Sequence, residues 1–113
     1  MLIFKIADEA SWRQALTDKV YRGSADDLRD GFIHFSTAAQ VRATAARHFA
    51  NRGDLVIAAV DGDRLGATLR WEPSRGGALF PHLYGALSTD AVVWWRPLPL
   101  GADGTHVLPA EIV

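Results

Sequence analysis

The sequence predicts an α+β fold in which helices pack to one side of a mixed β-sheet, and three observations lead to that prediction. Stretches with strand character outnumber stretches in which apolar residues have helical spacing. Residues 55–60 form an uninterrupted apolar run, which is typical of a strand covered on both faces. The order strand, helix, turn, strand, helix, strand, strand, with another strand near the C-terminus, favours the α+β class.

Length and composition favour one globular domain. The 113 residues are predicted to form a single domain with a core at about 2–97 and an irregular tail at 98–113. The net charge of −1 gives no overall attraction to nucleic acid or to a membrane surface. The absence of cysteine excludes disulfides and thiolate chemistry. No secretory leader and no apolar run of about 20 residues is visible, so we expect a cytoplasmic protein without a membrane partner.

Apolar spacing and capping residues predict the individual elements. A strand at 2–6 precedes a helix at about 9–17, for which Asp8 is the expected N-cap. Ser24 and the charged residues after it indicate a helical turn within 25–30. Further strands are expected at 68–72 and 91–97, and a glycine-rich loop at 73–77.

The chain is organised around residues 31–37, which have the pattern of a short strand leading into a helix at 38–50. Alternation places Phe32, His34 and Ser36 on one face of this strand and the apolar residues between them on a core-facing side. A strand built only for packing would not need two polar groups on one face. Polar groups where a strand runs into a helix N-terminus are typical of a site for an anionic or ribose-bearing ligand.

The start of this helix has a structural explanation of its own. Thr37 and Gln40 have the spacing of a capping box, in which the Thr oxygen accepts from the Gln40 amide and the Gln side chain reaches back. The functional prediction therefore narrows to His34 and Ser36. The alternative for His34 is a satisfied core or surface histidine.

Two charged residues flank the glycine-rich loop. Glu72 ends a predicted strand, where a carboxylate beside a sugar can orient a hydroxyl or stabilise an oxocarbenium-like transition state. Arg75, followed by two glycines, offers a guanidinium on a loop whose backbone can approach a phosphate. The alternatives are a solvated charge for Glu72 and a plain surface loop around Arg75.

Residues 80–85, Phe-Pro-His-Leu-Tyr-Gly, combine two aromatic rings with a histidine. Tyr84 could stack on a planar ring, and His82 could donate to a phosphate or ribose. The alternative is an edge strand with half-buried aromatic residues. The spacing of His34, Glu72 and His82 matches no metal-ligand pattern, so no metal site is predicted.

Three sequence stretches together resemble the bacterial family catalogued as domain of unknown function 952. They are residues 31–37 with Gln40, the pair Trp71 and Glu72, and residues 80–85. The likeness extends from about residue 4 to residue 97. That family is similar in fold to the ADP-ribosyltransferase superfamily, so the resemblance implies a curved, split sheet with a NAD-binding cleft. The stretch from 32 to 65 also looks like part of the RNA 2′-phosphotransferases.

The resemblance implies roles for particular residues. His34 would contact a ribose or phosphate of NAD, Tyr84 would stack on a ring, and Glu72 would be the ribose-orienting carboxylate. We therefore expect His34, Glu72 and His82 to be catalytic. Ligand-binding roles are expected for Ser36, Arg75 and Tyr84.

Three functional readings follow for this set of residues. The first is a transferase or hydrolase that acts at the ribose of NAD or of an ADP-ribose-like nucleotide, in which NAD is a candidate substrate and no cofactor is assigned. The second is a module that binds a nucleotide, an RNA end or a protein without turnover. The third is a purely structural network of polar side chains.

Overall fold

The computed structural model describes residues 1–112, apart from the side chain of Arg75. Its helices are α1 (Glu9–Asp18), α2 (Ala25–Asp30) and α3 (Val41–His48). Its strands are β1 (Leu2–Asp8), β2 (Val20–Tyr21), β3 (Ile33–His34), β4 (Leu55–Asp61), β5 (Leu69–Pro73), β6 (Leu79–Leu83), β7 (Leu87–Ser88) and β8 (Val92–Leu98).

The largest strands form a three-stranded sheet in the order β1-β4-β8. The middle position belongs to β4, whose residues 55–60 are all buried. An uninterrupted apolar strand is stable only where both of its faces are covered. The prediction that residues 55–60 form a strand covered on both faces is confirmed.

Helices cover both faces of this sheet. On one face, Trp12 of α1 packs into a core cluster with Ile3 and Val56. On the other face, Val41 of α3 packs into a second cluster with Ile57. The prediction that the helices lie to one side is therefore wrong, because β1 and β4 present apolar side chains on both faces and each face needs its own cover.

The remaining strands form two smaller sheets, β2-β7 and β3-β6-β5. All strand pairs among the described residues are antiparallel, so the α+β class is confirmed while the predicted mixed sheet is wrong. The connection from Pro73 at the end of β5 to Leu79 at the start of β6 is too short for the crossover of a dozen or more residues that a parallel pair needs. Phe4 and Ser36 exchange backbone hydrogen bonds of 2.8 and 2.9 Å, which join the segment just after β3 to the central sheet.

Two of the three helices begin as their capping residues predict. The Asp8 side chain accepts from the Ser11 amide at 2.9 Å, which confirms the predicted start of α1. At α2, Ser24 and Asp27 form a complete capping box.

The start of α3 differs from the prediction. The helix begins at Val41 rather than at residue 38, and half of the predicted box forms: the Gln40 side chain accepts from the Thr37 amide at 3.0 Å. The other end of that side chain donates to the Leu79 carbonyl of β6 at 2.8 Å. Gln40 thus links the turn before α3 to the β3-β6-β5 sheet.

The tail packs against the core without regular helix or strand in residues 99–112. Leu100 and His106 form an isolated bridge, and Ile112 is buried in the cluster beneath α3. Among the described residues, no helix combines the length and apolar character needed to cross a bilayer.

Candidate functional site

The β3-β6-β5 sheet brings the predicted polar residues to one face. His34 lies directly opposite His82, and Glu72 lies opposite Phe80. Opposed residues of an antiparallel pair point to the same face, and every second residue along each strand does so too. Phe32, His34, Ser36, Glu72, His82 and Tyr84 therefore share a face. The strand that carries His82 is central in this sheet rather than at its edge.

The imidazole of His34 is held by two carboxylates of α2. Its Nδ1 lies 2.5 Å from Oδ1 of Asp27, and its Nε2 lies 3.0 Å from Oδ2 of Asp30. The backbone amide of His34 also donates to Asp27 Oδ1 at 3.1 Å. Asp27 therefore fixes both the backbone and the ring of His34.

Asp27 is itself held in a buried ion pair with Lys5. Lys5 Nζ lies 2.7 Å from Oδ2 of Asp27, and the two side chains are 5% and 2% exposed. The Ser24 amide donates to the same oxygen at 2.9 Å. Burial acts to raise the pKa of Asp27, but the hydrogen bond from His34 and the charge of Lys5 outweigh it and hold that pKa well below its usual range. Burial lowers the pKa of Lys5, and Asp27 opposes that shift.

A second carboxylate orients the other histidine. His82 Nδ1 lies 2.9 Å from Oε1 of Glu72, and the Tyr84 hydroxyl donates to the same oxygen at 2.8 Å. These two hydrogen bonds lower the pKa of Glu72, and the bond to Glu72 raises the pKa of Tyr84. The guanidinium of Arg70 lies 4.7 Å from the centre of the Tyr84 ring, within cation–π range.

Aromatic contacts fix the two imidazoles relative to each other. Phe32 stacks on His82 with ring centres 4.0 Å apart, and its ring centre lies 4.6 Å from that of His34. The two histidine rings meet edge to face at 5.7 Å. Each ring is therefore positioned by a carboxylate and by Phe32.

A cavity of about 180 Å³ opens beside the two histidines. It lies between α2, α3 and the β3-β6-β5 sheet, and its polar lining includes His34, Ser36 and His82. Glu72 and Tyr84 are not among the described residues that line it, because they lie on the side of His82 where Nδ1 points. Its apolar wall contains Phe35, Phe49 and Phe80.

The hydroxyl of Ser36 serves local structure as well as the cavity. Its Oγ lies 2.9 Å from the Thr44 hydroxyl of α3, and the Thr44 hydroxyl donates to the Gln40 carbonyl at 3.2 Å. In the contact between Ser36 and Thr44, either hydroxyl can be the donor. The lone pairs of Ser36 Oγ are what it can offer to a ligand.

Family comparison adds the identity of the domain. The family described as "Protein of unknown function (DUF952)" matches residues 6–95. The chain belongs to the DUF952 family. The resemblance noted for its sequence motifs is thereby confirmed at the level of the family.

Solved structures of one protein are similar to this DUF952 chain over nearly its whole length. The crystal structure of CC0527 from Caulobacter crescentus has 45% sequence identity and a TM-score of 0.94, and it covers 99% of this chain and 98% of its own. A double mutant of CC0527 gives 44% identity and the same TM-score and coverage. The solution NMR structure of CC0527 gives 47% identity and a TM-score of 0.83, with 92% and 90% of the two chains covered. No curated protein matches the chain.

Sequence reasoning about this DUF952 chain missed Asp27, Asp30 and Lys5. Two signals could have found two of them: the capping-box spacing from Ser24 for Asp27, and the position of a lysine inside the apolar strand at 2–6 for Lys5. The expected ligand-binding role of Arg75 lies outside the described residues. Within residues 1–112, no group of three His, Asp or Glu side chains has an arrangement that could hold a metal ion.

Proposed function

We propose that this DUF952 chain binds a nucleotide in the cavity beside His34 and His82 and acts at the ribose end of that ligand. NAD and ADP-ribose-like molecules are the first ligand class to test, and an RNA end is chemically related. The observation that carries the proposal is a pair of histidines, each fixed at Nδ1 by a carboxylate, that line one cavity. Histidines oriented in this way are typical of sites that bind or transfer protons.

The cavity walls suit a ribose phosphate. The rings of Phe49 and Phe80 provide apolar surface on which a base can stack, and Ser36 provides a hydroxyl oxygen. Pockets that enclose drug-sized ligands are typically about 300–1,000 Å³, whereas this cavity is about 180 Å³. It would enclose one ribose with its phosphate, while the rest of a dinucleotide would lie along the surface.

The proposed relation to ADP-ribosyltransferases supplies NAD as a specific candidate. In such chemistry a carboxylate stabilises positive charge at the ribose carbon that loses its leaving group. Here Oε1 of Glu72 accepts hydrogen bonds from both His82 and Tyr84, and Glu72 does not line the cavity. In our proposal Glu72 therefore orients His82 and does not contact the ribose.

Ligand-induced thermal stabilisation tests the proposal. The melting temperature is expected to rise with AMP, ADP-ribose or NAD at millimolar concentration, because a ligand at about 100 times its Kd adds about 2.7 kcal/mol to the stability of the native state. The shift is expected to disappear in His34→Ala and to persist in His106→Gln, since His106 lies in the tail, where its Nε2 contacts the Arg52 carbonyl at 2.8 Å. A wild-type protein that none of these ligands stabilises would contradict the proposal.

A second candidate function is nucleotide binding without transfer of the ribosyl group. It is favoured by the hydrogen bonds that hold Glu72 on the far side of His82. We expect NAD to stabilise the protein while no nicotinamide is released, which chromatography of the reaction mixture measures. Release of nicotinamide by wild type, lost in Glu72→Gln, would contradict this candidate and support ribosyl transfer.

A further inference from the structure

Both ring nitrogens of His34 lie beside carboxylate oxygens of α2. Nδ1 faces an oxygen of Asp27 and Nε2 faces an oxygen of Asp30. An ionised carboxylate can only accept, so each contact favours a ring nitrogen that carries a hydrogen. The doubly protonated imidazolium satisfies both contacts. A ring in this form can donate a proton.

His82 has a partner at one ring nitrogen, Nδ1, among the described side chains. Its Nδ1 donates to Glu72, so in the neutral ring Nε2 carries a lone pair. Nε2 has no hydrogen-bond partner among the side chains that the structure describes, and His82 lines the cavity. Among the described side chains, Trp12 Nε1 is the polar atom that is both fully buried and without a partner. His82 Nε2 also has no partner but is not fully buried, so it is open to the cavity. This atom can accept a proton.

The donor and the acceptor are close enough to act on one group. The ring centres of His34 and His82 are 5.7 Å apart, and the two residues lie directly opposite each other in the register of β3 and β6. A hydrogen bond that transfers a proton in catalysis is about 2.6–3.2 Å long, so a reacting group in the cavity can reach both rings. Two groups with opposite protonation states beside one reaction centre make a general acid and a general base.

The carboxylates of the cavity indicate which bond this pair would cleave. Asp27 is bound to Lys5 and His34, and both Asp26 and Asp30 are bound to Arg29. Breaking a bond at C1′ of ribose creates a cation that a carboxylate facing it would stabilise. Asp26, Asp27 and Asp30 are already paired with a lysine or an arginine, so they would stabilise such a ribose cation less well than an unpaired carboxylate. Displacement at phosphorus needs a base for the attacking oxygen and an acid for the leaving oxygen, and His82 and His34 can supply these.

We propose that the cavity hydrolyses ribose phosphodiesters of the nucleoside 2′,3′-cyclic phosphate class, with His82 as general base and His34 as general acid. This inference rests on the proposed function, because it needs a nucleotide in the same cavity. The oxygen of a water molecule bonds to phosphorus while one of its protons passes to His82 Nε2. The bond from phosphorus to one ribose oxygen breaks, and that oxygen takes the proton from His34 Nε2. The product is a nucleoside 2′- or 3′-monophosphate, and proton exchange with solvent restores both rings.

In this proposal the leaving oxygen would replace the carboxylate of Asp30 as the partner of His34 Nε2. The Asp30 carboxylate binds Nε2 of His34 in the free protein, and the Asp30 side chain is 35% exposed at the end of α2. A contact with such access to water is readily replaced. Substrate binding would therefore exchange one oxygen partner of His34 for another, while Asp27 keeps the ring in place.

The experiment uses the full chain and adenosine 2′,3′-cyclic monophosphate as the probe, with product followed by ³¹P NMR. Wild type is expected to form adenosine monophosphate. His82→Ala and His34→Ala are each expected to slow turnover by about 10²–10⁴-fold, the usual contribution of one acid or base. His106→Gln is the matched control and is expected to retain full activity. Equal activity in all four proteins, or none in wild type, would overturn the inference.

Histidine NMR provides a readout that does not need turnover. Long-range ¹H–¹⁵N spectra of the free protein are expected to show both nitrogens of His34 protonated and Nε2 of His82 unprotonated. The reverse pattern would overturn the assignment of acid and base. Binding of adenosine monophosphate without hydrolysis of the cyclic probe would overturn this inference and leave the proposed function intact. Failure of both nucleotides and of NAD to bind would overturn the two together.

Discussion

Asp27→Asn is expected to lower the free energy of unfolding by about 3–5 kcal/mol, the cost of removing one partner from a buried ion pair. The substitution leaves the ammonium of Lys5 in a protein interior without its counter-charge, since the two side chains are 5% and 2% exposed. It also weakens the acceptor for His34. Denaturation by urea with linear extrapolation measures the effect.

A neighbouring residue on the same helix provides the control for this result. Asp26 pairs with Arg29 at 3.0 Å, but both side chains are about 70% exposed, so Asp26→Asn is expected to cost less than about 1 kcal/mol. The double variant of Lys5→Met with Asp27→Asn is expected to recover part of the loss, because no unpaired charge then stays buried. Equal losses for Asp26→Asn and Asp27→Asn would show that burial of the pair is not the cause.

The same carboxylate predicts how stability depends on pH. Burial alone would raise the pKa of Asp27, but His34 and Lys5 together lower it below its ordinary value of about 4. In acid the unfolded chain therefore binds a proton before the folded one does, and the stabilisation present above about pH 4 is lost as the pH falls through the folded pKa. Stability curves of wild type and Asp27→Asn are expected to converge as the pH falls below the pKa of Asp27 in the folded protein. Parallel curves would contradict the assignment.

Glu72→Gln is expected to slow hydrolysis of the cyclic nucleotide by at least about 100-fold while KM stays close to its wild-type value. Glutamine can keep an oxygen for the hydrogen bonds of His82 and Tyr84. It carries no negative charge to stabilise the imidazolium that forms when His82 takes a proton, and a general base contributes about 10²–10⁴-fold in total. Steady-state kinetics separate this effect on kcat from an effect on binding.

Tyr84→Phe is the matched control for that variant. It removes one of the two hydrogen bonds to Oε1 of Glu72 and keeps both the carboxylate charge and the bond to His82. We expect a loss of less than about tenfold, the scale of one hydrogen bond. A rise in KM with unchanged kcat in Glu72→Gln would instead indicate that Glu72 contacts the ligand, as the proposed relation to ADP-ribosyltransferases would require.

Local patterns predicted much of this fold. The apolar run at 55–60 identified the central strand, Asp8 identified the start of α1, and strand alternation placed His34 and Ser36 on one face. Each of these predictions depends on residues within a few positions of one another. For such features sequence spacing and physical contact are closely related.

Features that depend on distant residues could not be predicted in the same way. The apolar spacing of β1 and of α3 shows that each has a buried side, but it does not show which face of the sheet α3 covers. A lysine in an apolar strand signals a buried charge without naming its partner, and Asp27 has a sufficient local explanation as part of the α2 capping box. The partners of Glu72 also could not be predicted from local spacing, since its hydrogen bond to His82 depends on how β5 pairs with β6.

The middle position of β6 makes the candidate site and the core parts of one register. His82 points toward the cavity, and its neighbour Leu83 is buried in the main core cluster. A slip of one residue against β3 or β5 would exchange these faces, so that an imidazole entered the core and a leucine entered the cavity. The packing of Leu83 thus disfavours a register that would misplace His82, and a mispaired chain would lose the candidate site together with the packing of the core.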